Sequence, residues 1–71
     1  MLKTFHIFYR DRQGVLMRIL NEVSRRGIAF KEVIAIHDLL TLTLDINKKQ
    51  EEQLCRAWRA TIDVDEVRAM A

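Results

Sequence analysis

The chain has 71 residues, with 12 Lys plus Arg against 10 Asp plus Glu, one Cys, two Gly, no Pro and 49% hydrophobic residues. A length under half the usual domain size of about 150 predicts one domain spanning residues 1–71 and excludes a catalytic domain carrying a separate substrate domain. So short a chain buries only about 60% of its unfolded surface, holding its expected stability to on the order of 4–10 kcal/mol and favouring oligomerisation.

Cys55 alone cannot form an internal disulfide, and only Lys3 precedes a first stretch that polar residues interrupt, unlike a signal-peptide core. Charged residues or His break every apolar run well short of the roughly 20 residues that span a bilayer. These features predict a soluble cytoplasmic protein with no membrane partner. Net charge is +2, but residues 1–31 hold seven basic and two acidic side chains whereas residues 32–71 hold five basic and eight acidic ones. The basic excess gathers at Arg10, Arg12, Arg18, Arg25 and Arg26, where it either faces solvent or attracts an anion or an acidic partner.

Residues 3–9 alternate, with Phe5, Ile7 and Tyr9 on one face and Thr4, His6 and Phe8 on the other, which predicts a strand. The polar run Arg10 to Gly14 breaks that pattern. Leu16, Ile19, Leu20 and Val23 then recur at helical spacing as far as Arg25 and Arg26, with Gly27 placed to close the helix in a left-handed conformation and the two arginines suiting the negative end of its dipole. Ile28 to Ile36 is β-rich but carries Lys31 and Glu32, as an edge strand does. His37 and Asp38 make a turn. Leu40, Leu42, Leu44 and Ile46 alternate with Thr41, Thr43 and Asp45, the signature of a strand buried on one face. Asn47 and Gln50 have the spacing of a capping box, and Leu54, Ala57, Trp58 and Ile62 give the following helix an apolar face. Val64, Val67 and Met70 suggest a short last strand.

The order β-α-β-β-α-β predicts an α+β, ferredoxin-like plait with four antiparallel strands and both helices on one face. Thr4, His6, Phe8, Thr41 and Thr43 then lie on a sheet face without cover from this chain. The edge strand at Ile28 to Ile36 offers unpaired backbone groups to a second sheet.

The catalytic inventory is thin. Ser24 is the only serine and lies on a helix; Cys55 beside Leu54 reads as a small buried hydrophobe. His6 and His37 lack metal-pair spacing, so neither a metal nor any cofactor is expected. Phe5, Phe8 and Tyr9 fit the first strand of an RNA-recognition module, but Leu39 to Ile46 has no aromatic to stack a second base, which argues against a nucleic-acid partner. Trp58 fits the core. What remains is the loop entering the first helix. Gly14 admits close approach to the backbone, free N–H groups and the dipole favour a carboxylate or phosphate, and Asp11 either caps the helix or accepts from a ligand ammonium.

Asp11-Arg12-Gln13-Gly14-Val15-Leu16, continued by Arg18-Ile19-Leu20 and Ser24-Arg25-Arg26-Gly27-Ile28, resembles the ACT domain signature, in which Asp-Arg-Pro-Gly-Val-Leu opens a helix that ends in Arg-Gly-Ile. The likeness extends over the chain in topology, while its specific residues lie between positions 9 and 30. It implies a regulatory module that forms a homodimer and binds an amino acid at the interface, with Asp11, Gln13, Gly14, Val15, Leu16 and Ala29 at the ligand. The stand-alone length and the Ser24 to Ile28 segment are most similar to the short regulatory subunits of acetolactate synthase. That likeness implies a larger catalytic enzyme subunit of branched-chain amino acid biosynthesis as partner, with valine, leucine or isoleucine as effector. Gln13 replaces the family's proline, and Ala29 stands where many amino-acid-binding members carry Asn or Asp. The loss of one such hydrogen bond removes on the order of 1 kcal/mol, so the resemblance also allows a subunit that stabilises its enzyme with little response to an amino acid.

An enzyme reading competes at the same loop. Gln13-Gly14-Val15 with Arg18 resembles the phosphate cradle of acylphosphatases, with Arg18 as the anion-binding group. Gly27-Ile28-Ala29-Phe30-Lys31 lacks the water-orienting asparagine that this reading requires.

Overall fold

A computed structural model describes residues 1–70. Strand β1 (Leu2–Tyr9) leads to helix α1 (Val15–Ser24), strands β2 (Phe30–Ile36) and β3 (Leu39–Asp45), helix α2 (Lys48–Arg59) and strand β4 (Val64–Met70). The four strands form one antiparallel sheet in the order β2-β3-β1-β4, so β2 and β4 are its edges. This is the expected plait.

The alternation in β1 and β3 builds the core. Phe5, Ile7 and Tyr9 point the same way as Leu40, Leu42 and Leu44, and all six are buried. Trp58 of α2 lies edge-on to Phe5 at 5.1 Å, and its indole N–H donates to the Ile19 carbonyl of α1 at 3.0 Å. One side chain thereby ties both helices to the centre of the sheet. On the other face Thr4 and Thr43 share a hydrogen bond of 3.0 Å, and the Arg68 guanidinium lies 5.2 Å above the Phe8 ring.

Both helix ends of the α1–β2 and β3–α2 connections follow their local chemistry. Asn47 accepts from the Gln50 amide at 2.8 Å while the Gln50 side chain accepts from the Asn47 amide at 3.0 Å, completing the capping box. Gly27 has φ +68°; its amide reaches the Ser24 carbonyl and the Ile28 amide reaches that of Val23, a Schellman closure that turns Ile28 into the core.

The structure corrects four details. The deepest face of α1 is Val15, Ile19 and Val23, one line of i,i+4 neighbours, and Leu16 and Leu20 flank it half-buried. Arg25 and Arg26 lie just past the last turn rather than in it, though Arg26 still folds back onto the Glu22 carbonyl at 2.7 Å. Ile62 lies beyond the end of α2 and is 73% exposed, because Ala60 and Thr61 already turn the chain towards β4. Met70 faces the open side opposite Thr4, and the three-residue spacing of Val64 and Val67 is reconciled by a bulge: Phe8 pairs with Glu66 but Tyr9 with Val64, leaving Asp65 as the extra residue.

Trp58→Phe keeps a ring against Phe5 but removes the indole hydrogen bond that joins α2 to the α1 backbone at Ile19. The expected loss is about 1–3 kcal/mol, read as a lower urea midpoint with unchanged slope.

Candidate functional site

The loop between β1 and α1 is anchored at its start and open at its end. The Arg10 amide donates to the Asp63 carbonyl at 2.8 Å, and the Arg12 amide to the Arg10 carbonyl at 2.8 Å. Gly14 is the N-cap, with φ +85° and ψ −11°, a left-handed conformation that an L-residue adopts at a steric penalty. The Val15 amide is taken by the Arg12 carbonyl at 3.1 Å, and the Arg18 amide by the Gly14 carbonyl at 3.0 Å. Among the described residues the Leu16 and Met17 amides have no acceptor, so two first-turn donors point outward at the positive end of the dipole.

Asp11 does not cap the helix. No side chain accepts from the first turn, because the left-handed Gly14 makes the entry by backbone alone. The Asp11 carboxylate is exposed and close enough to help raise the Tyr9 phenol, whose main cause is burial, with Asp38 adding to it. Gln13, Arg12 and Arg18 are exposed, and Leu16 is half-buried behind the turn. The amide of Val15, which the phosphate-cradle reading needs, is already bonded.

Ala29 is placed elsewhere. Strand β1 is antiparallel to β3 and β3 is antiparallel to β2, so β1 and β2 run parallel. The Asp11 to Leu16 loop follows the end of β1, whereas Ala29 precedes the start of β2. Phe30 and Lys3 both pair with Leu44, and Ile36 and Phe8 both pair with Leu39. Ala29 therefore lies at the opposite end of the sheet, roughly 20 Å from the glycine turn. One copy of the chain cannot bring them to a single ligand.

Sequence reasoning understated β2. Every residue of this strand is exposed, including Phe30 (36%), Val33 (45%), Ile34 (43%) and Ile36 (60%). Phe30 and Val33 pair with the core-facing Leu44 and Leu42, and Ile34 and Ile36 with Thr41 and Leu39 on the open side, so the strand is apolar on both faces. The run Val33-Ile34-Ala35-Ile36, unbroken by charge, was the available signal. The other edge differs. Strand β4 carries Asp65, Glu66 and Arg68, and Arg59 donates across it to the Val67 carbonyl at 3.3 Å.

Burial raises the Cys55 thiol above its ordinary range, opposed by Arg59 and Lys3 and reinforced by Glu51. Alkylation of native protein at pH about 8 is expected to be at least tenfold slower than after urea unfolding. Because the native thiol keeps its proton when the unfolded one ionises, this group lowers stability as pH rises above about 8.5. A Cβ at Gly14 would meet nothing within 4 Å, so Gly14→Ala should lose only the backbone penalty of about 1–2 kcal/mol. Asp11→Ala should change stability by less than about 0.5 kcal/mol, as no cap is removed. Thermal and urea denaturation check both.

No family model and no curated protein sequence matches the chain. Among solved structures, the ACT domain of GTP pyrophosphokinase from Chlorobium tepidum superposes with a TM-score of 0.81 at 16% identity, covering 99% of this chain and 97% of that one. The acetolactate synthase small subunit from Thermotoga maritima does so at 0.81 and 17%, covering 100% of this chain, which spans 48% of that subunit. The regulatory subunit of aspartate kinase from Thermus thermophilus gives 0.63 and 15%, with 99% and 50% covered. At these identities the likeness establishes the fold, and this chain has the fold of the ACT domains.

Proposed function

We propose that the chain is a non-catalytic, ACT-type regulatory subunit that pairs with a second copy and activates or stabilises a larger amino-acid biosynthetic enzyme, specifically acetolactate synthase of branched-chain amino acid biosynthesis. The observation that carries this reading is the split placement of the signature residues: the glycine turn at one end of the sheet and Ala29 at the other, with a bare apolar edge strand between those ends. Two copies joined antiparallel through β2, about a two-fold axis near Val33, bring the Ala29 end of one copy to the glycine turn of the other. Such a pairing continues the sheet across the interface and covers Phe30, Val33, Ile34 and Ile36.

The ligand position then falls between copies. The Leu16 and Met17 amides face the effector's carboxylate and the exposed Asp11 carboxylate faces its ammonium. Ala29 of the second copy adds no side-chain hydrogen bond, which weakens binding several-fold or more relative to an amide at that position. The acetolactate synthase assignment is supported by the signature at Asp11 to Leu16 and Ser24 to Ile28 and by the likeness to the Thermotoga maritima subunit. The cytoplasm is the proposed location.

Light scattering after size exclusion tests the pairing. The wild type is expected as a dimer at micromolar concentration, and Val33→Lys combined with Ile34→Lys should raise the dimer dissociation constant at least about tenfold, equivalent to roughly 1.4 kcal/mol. A wild type that stays monomeric into the millimolar range refutes the pairing. Calorimetry with valine, leucine and isoleucine reads the effector claim; heats equal to dilution for all three leave the scaffold role alone. Pull-down from the native cytoplasm identifies the enzyme, and recovery without any acetolactate synthase catalytic subunit overturns the specific assignment.

A further inference from the structure

The outer face of the helix layer carries a feature that neither the glycine turn nor β2 explains. Between the end of α1 and α2 lies an open groove of about 680 Å³ lined by Arg25, Arg26, Gln53, Arg56, Ala57 and Ala60. Two alanines leave it shallow, three guanidinium groups surround it, and no carboxylate lines it. Part of this charge has a local use: Glu22 holds Arg25 at 2.8 Å and Arg26 at 3.2 Å, and Arg26 also satisfies a carbonyl at the end of α1. Arg56 lies in the last turn of α2, where a cation suits the helix dipole, but no carboxylate holds it. It forms no ion pair among the described residues, and Arg25 remains 67% exposed with guanidinium donors to spare.

A neighbouring groove supplies the contrast. It lies between α2 and β4, measures about 660 Å³ and shares Arg56 and Ala60, but there Glu51 and Glu52 offset Arg56 and Arg59. The α1 side of the Arg56 ridge thus carries a basic excess in its lining while the β4 side is balanced, so an anionic partner is favoured on the α1 side. The chemistry there suits carboxylates on an extended chain. Guanidinium forks grip carboxylates bidentately, the alanine floor accepts intervening apolar groups, and the openness of the groove gives a small anion no wall. No aromatic side chain lines it to stack a base.

We infer that this arginine groove docks an acidic, partly apolar segment of a partner protein, the larger enzyme of the regulatory reading on which this inference rests. The test is a ¹⁵N-NMR titration of the full chain with a synthetic peptide of alternating aspartate and leucine, run beside an oligothymidylate of equal charge and inorganic phosphate. Amide shifts are expected to centre on Arg25, Gln53, Arg56 and Ala57 and to weaken with added salt. Arg56→Glu, and separately Arg25→Glu, should lower peptide affinity about tenfold or more, while Arg18→Glu at the far end of α1 leaves it within about twofold. Shifts centred on Arg12 and Arg18, no shift at millimolar peptide, or equally tight binding of phosphate or the oligonucleotide overturns the inference. Light scattering reads the β2 pairing independently. Undiminished peptide binding by a dimeric Arg56→Glu therefore removes the docking site and leaves the regulatory reading intact.

Discussion

The hydrogen bond from the Trp58 indole to the Ile19 carbonyl sets where both helices can lie. With the Trp58 ring also against Phe5, α1 and α2 are drawn together over the middle of the sheet. The buried residues follow that placement: they come from β1, β3 and the inner faces of the two helices, with Val67 from β4, Ile28 and Ile46 from the α1–β2 and β3–α2 connections, and none from β2. A small plait has a limited apolar inventory, and here it is concentrated on one side of the centre. The outer strand is left with large apolar side chains and nothing from its own chain to cover them.

That asymmetry gives the two edges opposite roles. Acidic and basic side chains guard β4, and Arg59 occupies one of its outward carbonyls. Strand β2 has Lys31 and Glu32 only near its start, beside the irregularity between Phe30 and Glu32, and then four uncharged residues. An edge so built offers its unpaired backbone groups to another sheet, as the proposed pairing uses. The parallel relation of β1 and β2 means that the proposed antiparallel union of two β2 strands would close the gap between two signature positions that a single copy holds apart.

Helix α1 is asymmetric along its length as well. Its first turn is entered through a left-handed glycine with no capping side chain, and it keeps free amides. Its last turn is closed completely, by the Gly27 backbone and by Arg26 on a terminal carbonyl. The free end has the donors and dipole that suit a small anion, which the proposed pairing would place between copies. The closed end leaves surplus guanidinium groups beside Arg56, on a face that the proposed β2 pairing does not use.

Local periodicity in the amino-acid sequence was enough to read the strands β1 and β3, the capping box at Asn47, the closure at Gly27 and the order of elements. Each of these depends on covalent geometry within a few residues, where side-chain alternation and backbone hydrogen bonding are fixed by neighbours. The glycine turn was legible for the same reason, but the role of Asp11 was not, because whether a carboxylate caps a helix depends on the path by which the chain enters it. The burial of Val15 ahead of Leu16, the exposure of Ile62 and the extra residue at Asp65 were settled by packing. So were the separation of Ala29 from Gly14 and the meeting of Arg25 with Arg56. These are relations between residues distant along the chain, created when helices and strands share one core, and no local pattern encodes them.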